Sequence, residues 1–228
     1  MCVTSRRRSP AAGADRQQNP LVRGPERTDV FVSLPDVAPG GWRYARLAAV
    51  AAVPALVVAP PLAAACLAAA LAALWFHRDP ERSPPPAGVV APADGRISEV
   101  RDEGDRLRVV VFMNVTDVHV NRAPVPGSVA EVTHSPGRHL PAFSKESDRN
   151  ERVVVDCGDT EVTLVAGAVA RRIHPYVEAG DDLDRGQRLG HISFGSRADV
   201  LLSPEFDRDD VRVTEGQHVR AGETVVAA

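Results

Sequence analysis

Lysine is almost missing from this chain. Of the 27 lysines and arginines in its 228 residues, Lys145 is the one lysine. Chemistry that needs a lysine amine, such as a pyridoxal-phosphate Schiff base or a biotin or lipoate attachment, therefore has one candidate position. Cysteine is scarce as well. Cys2, Cys66 and Cys157 are odd in number and scattered, with no CxxC spacing. That argues against a disulfide scaffold or a zinc knuckle and fits a reducing compartment. A basic excess is also absent: the net charge of -3 speaks against a general nucleic-acid binder, whose affinity comes from phosphate neutralisation. No HExxH, HxH or clustered carboxylate pattern occurs, so no metal site is expected. The length suits one ordinary domain with an appendage.

What is present falls into three zones. Residues 1–41 are rich in Arg, Pro, Gly, Asp and Gln without an apolar period and read as a disordered arm. The Arg6-Arg7-Arg8 run has no apolar stretch behind it until Leu47, so an export signal is not expected. Residues 42–77 hold an apolar segment, Leu47 to Phe76, of thirty residues without a charge. Pro54 and Pro60-Pro61 are expected to break it into pieces at roughly 47–59 and 62–76. Each piece then reaches about 20 Å as helix, short of a ~30 Å hydrocarbon core. Arg43 and Arg46 flank one end, Arg78 and Arg82 the other, which favours a hairpin that returns to the cytoplasmic face of a membrane over one kinked spanning helix. Residues 78–228 form the third zone. Val109–Met113, Val153–Val155, Val162–Val165 and Val211–Val213 alternate there with Gly, Pro and Asp turn signals, predicting a mainly β domain.

That zone repeats itself. Residues 91–100 (APADGRISEV) align with 123–132 (APVPGSVAEV), and Glu178-Ala179-Gly180 followed by Gly186 echoes Thr214-Glu215-Gly216 followed by Gly222. The pattern resembles the barrel-sandwich hybrid fold of biotinyl and lipoyl carrier domains and predicts a sandwich built of similar halves. Lys145 lies between Ser144 and Glu146, which does not match a carrier lysine. The fold resemblance is kept and the carrier function is not.

Four positions draw attention on chemical grounds. Asp94 departs from its repeat mate Pro126; it is either an Asp-Gly turn or a carboxylate on a rigid turn orienting a histidine. In Asp117-Val118-His119-Val120-Asn121-Arg122, period-two alternation places Asp117, His119 and Asn121 on one strand face. That face is either simply solvated or carries His119 as a general base. Gly195-Ser196 is either a turn or a site where the serine hydroxyl attacks the unhindered glycine carbonyl. His174 is a weaker candidate; His134, His139, His191 and His218 receive no role.

Taken in order, Trp75-Phe76-His77-Arg78-Asp79-Pro80-Glu81-Arg82, Ala91-Pro92-Ala93-Asp94-Gly95, His119-Val120-Asn121-Arg122-Ala123-Pro124 and Phe194-Gly195-Ser196 resemble the short form of phosphatidylserine decarboxylase over residues 42–228. The resemblance implies autocatalytic serinolysis at Gly195-Ser196, leaving a β chain of residues 1–195 and an α chain of 196–228 as a heterodimer. Ser196 would become a covalent pyruvoyl group that forms a Schiff base with phosphatidylserine, releasing CO2 and giving phosphatidylethanolamine. His119 and Asp94 match catalytic positions of the family, and Asp94 is expected to orient His119. The long form has a second histidine where this chain has Arg122. Arg122 and Arg197 are expected to bind the lipid phosphate or carboxylate. The competing reading is a non-enzymatic, membrane-tethered hybrid-fold module.

Overall fold

A computed structural model describes residues 36–138, 140, 148–168, 172–192 and 196–228. Most of the N-terminal arm, together with His139, Lys145 and Gly195, lies outside the described residues.

The apolar segment folds as two helices, α1 (Gly41–Val58) and α2 (Pro60–Phe76), joined at Ala59. The break falls at Ala59, between the two expected pieces; Pro54 sits inside α1 without ending it, and Pro60 starts α2 at a position where its missing N–H goes unused. The helices run back along each other. The Ala38 N–H donates to the His77 carbonyl, and the Tyr44 and His77 rings stack at 5.6 Å, so the start of α1 adjoins the end of α2. Ala52, Ala55 and Ala63 pack between them. Leu47, Val50, Val53, Leu56, Val57, Val58, Leu67 and Leu71 remain exposed, an apolar surface with no protein partner. α1 has the length and composition to cross a membrane, whereas α2 is shorter.

The rest is mainly β. Its principal strands are β1 (Gly95–Glu103), β2 (Arg106–Met113), β3 (Val120–Arg122), β4 (Glu131–Ser135), β5 (Arg152–Asp156), β6 (Glu161–Val165), β7 (Ile173–Pro175), β8 (Arg188–Ile192), β9 (Ser196–Leu201) and β10 (His218–Val219). Among the described residues they form an antiparallel sheet of order β10-β1-β2-β9-β6-β5-β4 and a second of order β7-β8-β3. The valine-rich runs at 109, 153 and 162 became β2, β5 and β6. Val211–Val213 did not become a strand; Val211 makes one isolated bridge to Ala227.

The repeats are visible as matched hydrogen bonds. Gly222 N–H donates to Ala91 O and Gly186 N–H to Ala123 O; Gly216 N–H donates to Ile97 O and Gly180 N–H to Val129 O. Across the two units, Val90 N–H meets Pro124 O and Arg122 N–H meets Pro92 O. Ile97, Val109, Val111, Val155, Val162, Leu164, Leu189, Ala198, Val200 and Leu202 fill one continuous core beneath these turns.

Asp94-Gly95 is not a hairpin tip. Gly95 opens β1 at φ 149°, and a Cβ there would sit 2.1 Å from the Phe112 carbonyl oxygen of the neighbouring strand. Both the dihedral and the contact demand glycine. Gly95→Ala is expected to lower stability by about 2 kcal/mol or more through backbone strain, read as a reduced urea midpoint.

Candidate active site

β9 is the most enclosed strand of the large sheet: all six of its residues are buried. Period-two alternation turns Ser196, Ala198 and Val200 toward the core and Arg197 and Asp199 toward the opposite face. Ser196 opens the strand with no exposed surface, paired in register with Met113 of β2. Its Oγ lies 3.3 Å from Met113 Sδ. A thioether is a weak acceptor, so no strong partner claims the hydroxyl proton. Asn121 of β3, fully buried, places Nδ2 3.6 Å from the same sulfur. The amide and the serine hydroxyl thus flank one atom.

His119 stands two residues before Asn121 and is 3% exposed. Its Nδ1 is 2.9 Å from the Asp117 carbonyl. A carbonyl can only accept, so Nδ1 carries the hydrogen and Nε2 presents a lone pair. That Nε2 is buried and has no hydrogen-bond partner among the described residues. Burial pushes the imidazole down to about 4, overriding the opposing pull of the Asp117 carbonyl and carboxylate. Phe76, the last residue of α2, packs against the ring at 4.4 Å. Val118 and Val120 face the other way and cluster with Ala38 beside the hairpin. The expected alternation therefore holds for His119 and Asn121, although their face is dry rather than solvated. It fails for Asp117, whose carboxylate accepts from the Asn114 N–H in a turn ahead of β3.

Three expected site roles are corrected by the geometry. Asp94 does not orient His119. Its carboxylate takes two hydrogen bonds from Arg82 Nη2, at 2.9 and 2.8 Å, and one from the Ala221 N–H at 2.8 Å. The Asp117 carbonyl orients His119 instead. Arg122 does not present its guanidinium to a substrate: Nη2 bonds Asp79 Oδ1 and the Pro80 carbonyl, and Nη1 bonds the Gly186 carbonyl. Arg197 lies on the far face from Ser196 and pairs with Asp148 and Asp199. Desolvation outweighs these arginine contacts at Asp199 and pushes its carboxyl up to about 6.

Two histidines acquire surroundings that sequence reasoning did not foresee. His191 is buried with Nδ1 2.7 Å from Tyr176 Oη, stacks on His174 at 4.5 Å and approaches His77 at 6.3 Å. Burial and the neighbouring imidazoles push it down to about 3. Strand pairing between β7 and β8, with His174 opposite His191, creates this group. No local signal in either segment announces that register. Met113 was hidden for the same reason.

Both the Nε2 lone pair of His119 and the buried His191 make folding sensitive to acid. Each imidazole has a folded value below its ordinary 6.5, so the unfolded chain binds more protons between the two values. Stability then rises with pH across that window and levels off above 6.5. Urea midpoints followed by far-ultraviolet circular dichroism are expected to fall as pH drops from about 6.5 to about 4, with a shallower fall in His119→Gln.

The family model for phosphatidylserine decarboxylase matches residues 70–227. The chain is 60% identical over 190 residues, covering 83% of this chain and 97% of the relative, to a protein of Halobacterium salinarum named as an archaetidylserine decarboxylase proenzyme. It is 51% identical over 169 residues, covering 71% and 76%, to the phosphatidylserine decarboxylase proenzyme of Streptomyces coelicolor. A Methanosarcina acetivorans protein named as an archaetidylserine decarboxylase proenzyme is 44% identical over 158 residues, covering 67% and 73%. The buried serine at the head of β9, the unpartnered histidine nitrogen and these matches agree, and the chain belongs to the phosphatidylserine decarboxylase family, an enzyme of the carboxy-lyase class.

Proposed function

We propose that the chain removes the carboxylate of the serine head group of phosphatidylserine or its archaetidylserine counterpart, after cutting itself at Gly195-Ser196. The two relatives' names differ in the lipid backbone and share the phosphoserine head group, so the reading is made for the head group. The observation that carries it is Ser196: a fully buried hydroxyl whose partner among the described residues is a thioether, Met113 Sδ.

The self-cleavage is balanced by groups of the chain and one water. His119 Nε2 takes the proton of Ser196 Oγ, and the oxygen bonds to the Gly195 carbonyl carbon as the carbon–nitrogen bond breaks. The nitrogen of Ser196 leaves as an amine, with the acyl group now held as an ester. Loss of the Ser196 Cα proton expels the Gly195 carboxylate and leaves dehydroalanine, which water converts to a pyruvoyl terminus with release of ammonia. A low-pKa imidazole suits the accepting role because it stays unprotonated at neutral pH. The Asp117 carbonyl keeps Nε2 as the free nitrogen throughout.

The pocket fits a pyruvoyl group. Position 196 is enclosed, its neighbours Met113 and Ala198 are apolar, and the buried Asn121 amide reaches the same Met113 sulfur as Ser196 Oγ. Such a group supplies a carbonyl that accepts the electrons left behind by CO2. His119 Nε2 takes a proton from the incoming head-group ammonium and returns it to the carbon that loses its carboxylate, and Phe76 packs on the imidazole face. The 33-residue α chain stays with the β chain because β9 is hydrogen-bonded on both sides, to β2 and to β6.

The hairpin brings this site to the substrate. Its exposed apolar surface suits insertion into one leaflet, with Arg43, Arg46 and Arg78 at the head-group level of the cytoplasmic face. Trp75, with Arg78 stacked 4.2 Å over its ring, marks the same level.

Two outcomes test the reading. Denaturing electrophoresis with intact-mass measurement is expected to show fragments of 195 and 33 residues, the smaller with a blocked, ketone-bearing N-terminus. Ser196→Ala is expected to stay whole and to release no CO2 from phosphatidylserine. A native chain that remains intact yet decarboxylates the lipid would exclude the serine-derived group. For the hairpin, replacing exposed Val50, Val57 and Leu71 together by Asp is expected to move the protein from the membrane pellet to the supernatant. Continued pelleting contradicts insertion through this surface.

A further inference from the structure

The buried residues Asn121 and His119, two apart along the chain, show an imbalance of hydrogen-bonding types. Asn121 Oδ1 and His119 Nε2 are both buried acceptors without a partner among the described residues. The orientation of the Asn121 amide is set by Met113. Its N–H group faces the sulfur at 3.6 Å, and a flipped amide would set oxygen and sulfur lone pairs against each other. The one polar hydrogen nearby, on Ser196 Oγ, points at that same sulfur. An unpaired amide oxygen in a dry site opposes folding, and Asn121 has no exposed surface at all. Nothing local to β3 calls for it: its repeat counterpart by the 91/123 alignment falls in the Val89–Val90 pair, where valines fill the core.

Two acceptors and no free donor match a ligand that is all donor. Under the decarboxylase reading, on which this inference rests, the serine head group carries one: its α-amine, with up to three N–H groups and no acceptor when protonated. We propose that Asn121 is a substrate-binding residue whose Oδ1 accepts an N–H from the head-group amine, beside His119 Nε2 as the second acceptor. The same two lone pairs repel the head-group carboxylate, so they orient the amino acid as well as hold it. The amine goes toward β3 and position 196, and the carboxylate goes away from them. An acceptor without a donor also favours a primary amine over a trimethylated one, which has no N–H to give.

The experiment uses the full-length chain on phosphatidylcholine vesicles containing phosphatidylserine, with self-cleavage followed on gels and CO2 release as the rate. Inhibition by an ethanolamine lipid is compared with that by the same lipid bearing a hydroxyl in place of the amine. Asn121→Leu is expected to raise the interfacial KM about tenfold or more, the effect of losing one hydrogen bond to a charged donor. kcat should change less, and the preference for the amine-bearing inhibitor should fall by about the same factor. Asn121→Asp, which keeps an acceptor in place, is expected to retain that preference, and Asn121→Ser, which withdraws it, to show the same fall as leucine. A cleaved, active Asn121→Leu enzyme with native KM and native preference overturns the inference alone. Should the leucine variant fail to cleave, the aspartate and serine variants decide: equal preference in both overturns it. A native chain that neither cleaves nor releases CO2 overturns the decarboxylase reading, and this one with it.

Discussion

The two hydrogen-bonded ladders on either side of β9 are the constraint from which the site follows. Registered against Met113 on one side and with Arg197 opposite Val165 on the other, the strand has no freedom to slide, because a one-residue slip would bury Arg197 and Asp199 in the core and turn Ala198 and Val200 out. That register sets the Ser196 hydroxyl against a thioether at the edge of the core. It also holds the opposite face in a mesh of ions, Arg197 with Asp148 and Asp199, and Arg108 with Glu103, Glu161 and Thr163. Under the proposed cleavage, a strand pinned in this way would stay in place without the covalent link before its first residue.

A second set of buried ions joins the hairpin to the β domain. The segment leaving α2 carries Asp79 to Arg122 and Arg188, and Arg82 to Asp94 and Glu223. Asp79 and Arg122 are almost wholly buried, so removing either partner would strand a charge, a loss of about 3–5 kcal/mol. These pairs fix where α2 ends, and that end delivers Phe76 onto His119. The apolar hairpin and the candidate reacting groups are therefore one mechanical unit. Arg122, expected as a substrate contact, is one of its fasteners. With the family established, the alternative of a non-enzymatic tethered module is set aside.

Much of this architecture was legible along the chain. The charge-free run from Leu47 to Phe76 announced apolar helices, and the valine-rich runs announced β2, β5 and β6. The two internal repeats predicted halves that the paired glycine bonds now display, because a glycine turn and its receiving carbonyl are encoded a fixed number of residues apart. Alternation alone put His119 and Asn121 on one face. What misled was chemistry shared by several partners. A carboxylate such as Asp94 is satisfied equally by histidine, arginine or a backbone N–H, and local sequence does not say which will arrive. Pro54 removes one bond from a helix that packing against α2 otherwise supports, so the segment breaks at Ala59 and not there.

By itself the sequence determined which elements form, which faces are apolar, and that a serine preceded by glycine opens a strand-forming run, since these depend on neighbours a few residues apart. Only the tertiary structure decided that Met113 faces Ser196, that the Asp117 carbonyl leaves His119 Nε2 free, and that Arg82 rather than His119 holds Asp94. Each of these turns on strands or segments distant in sequence meeting in one register. Dehydration at that meeting point then lowers the imidazole's proton affinity and leaves the Asn121 oxygen without a donor, properties that no residue carries in isolation.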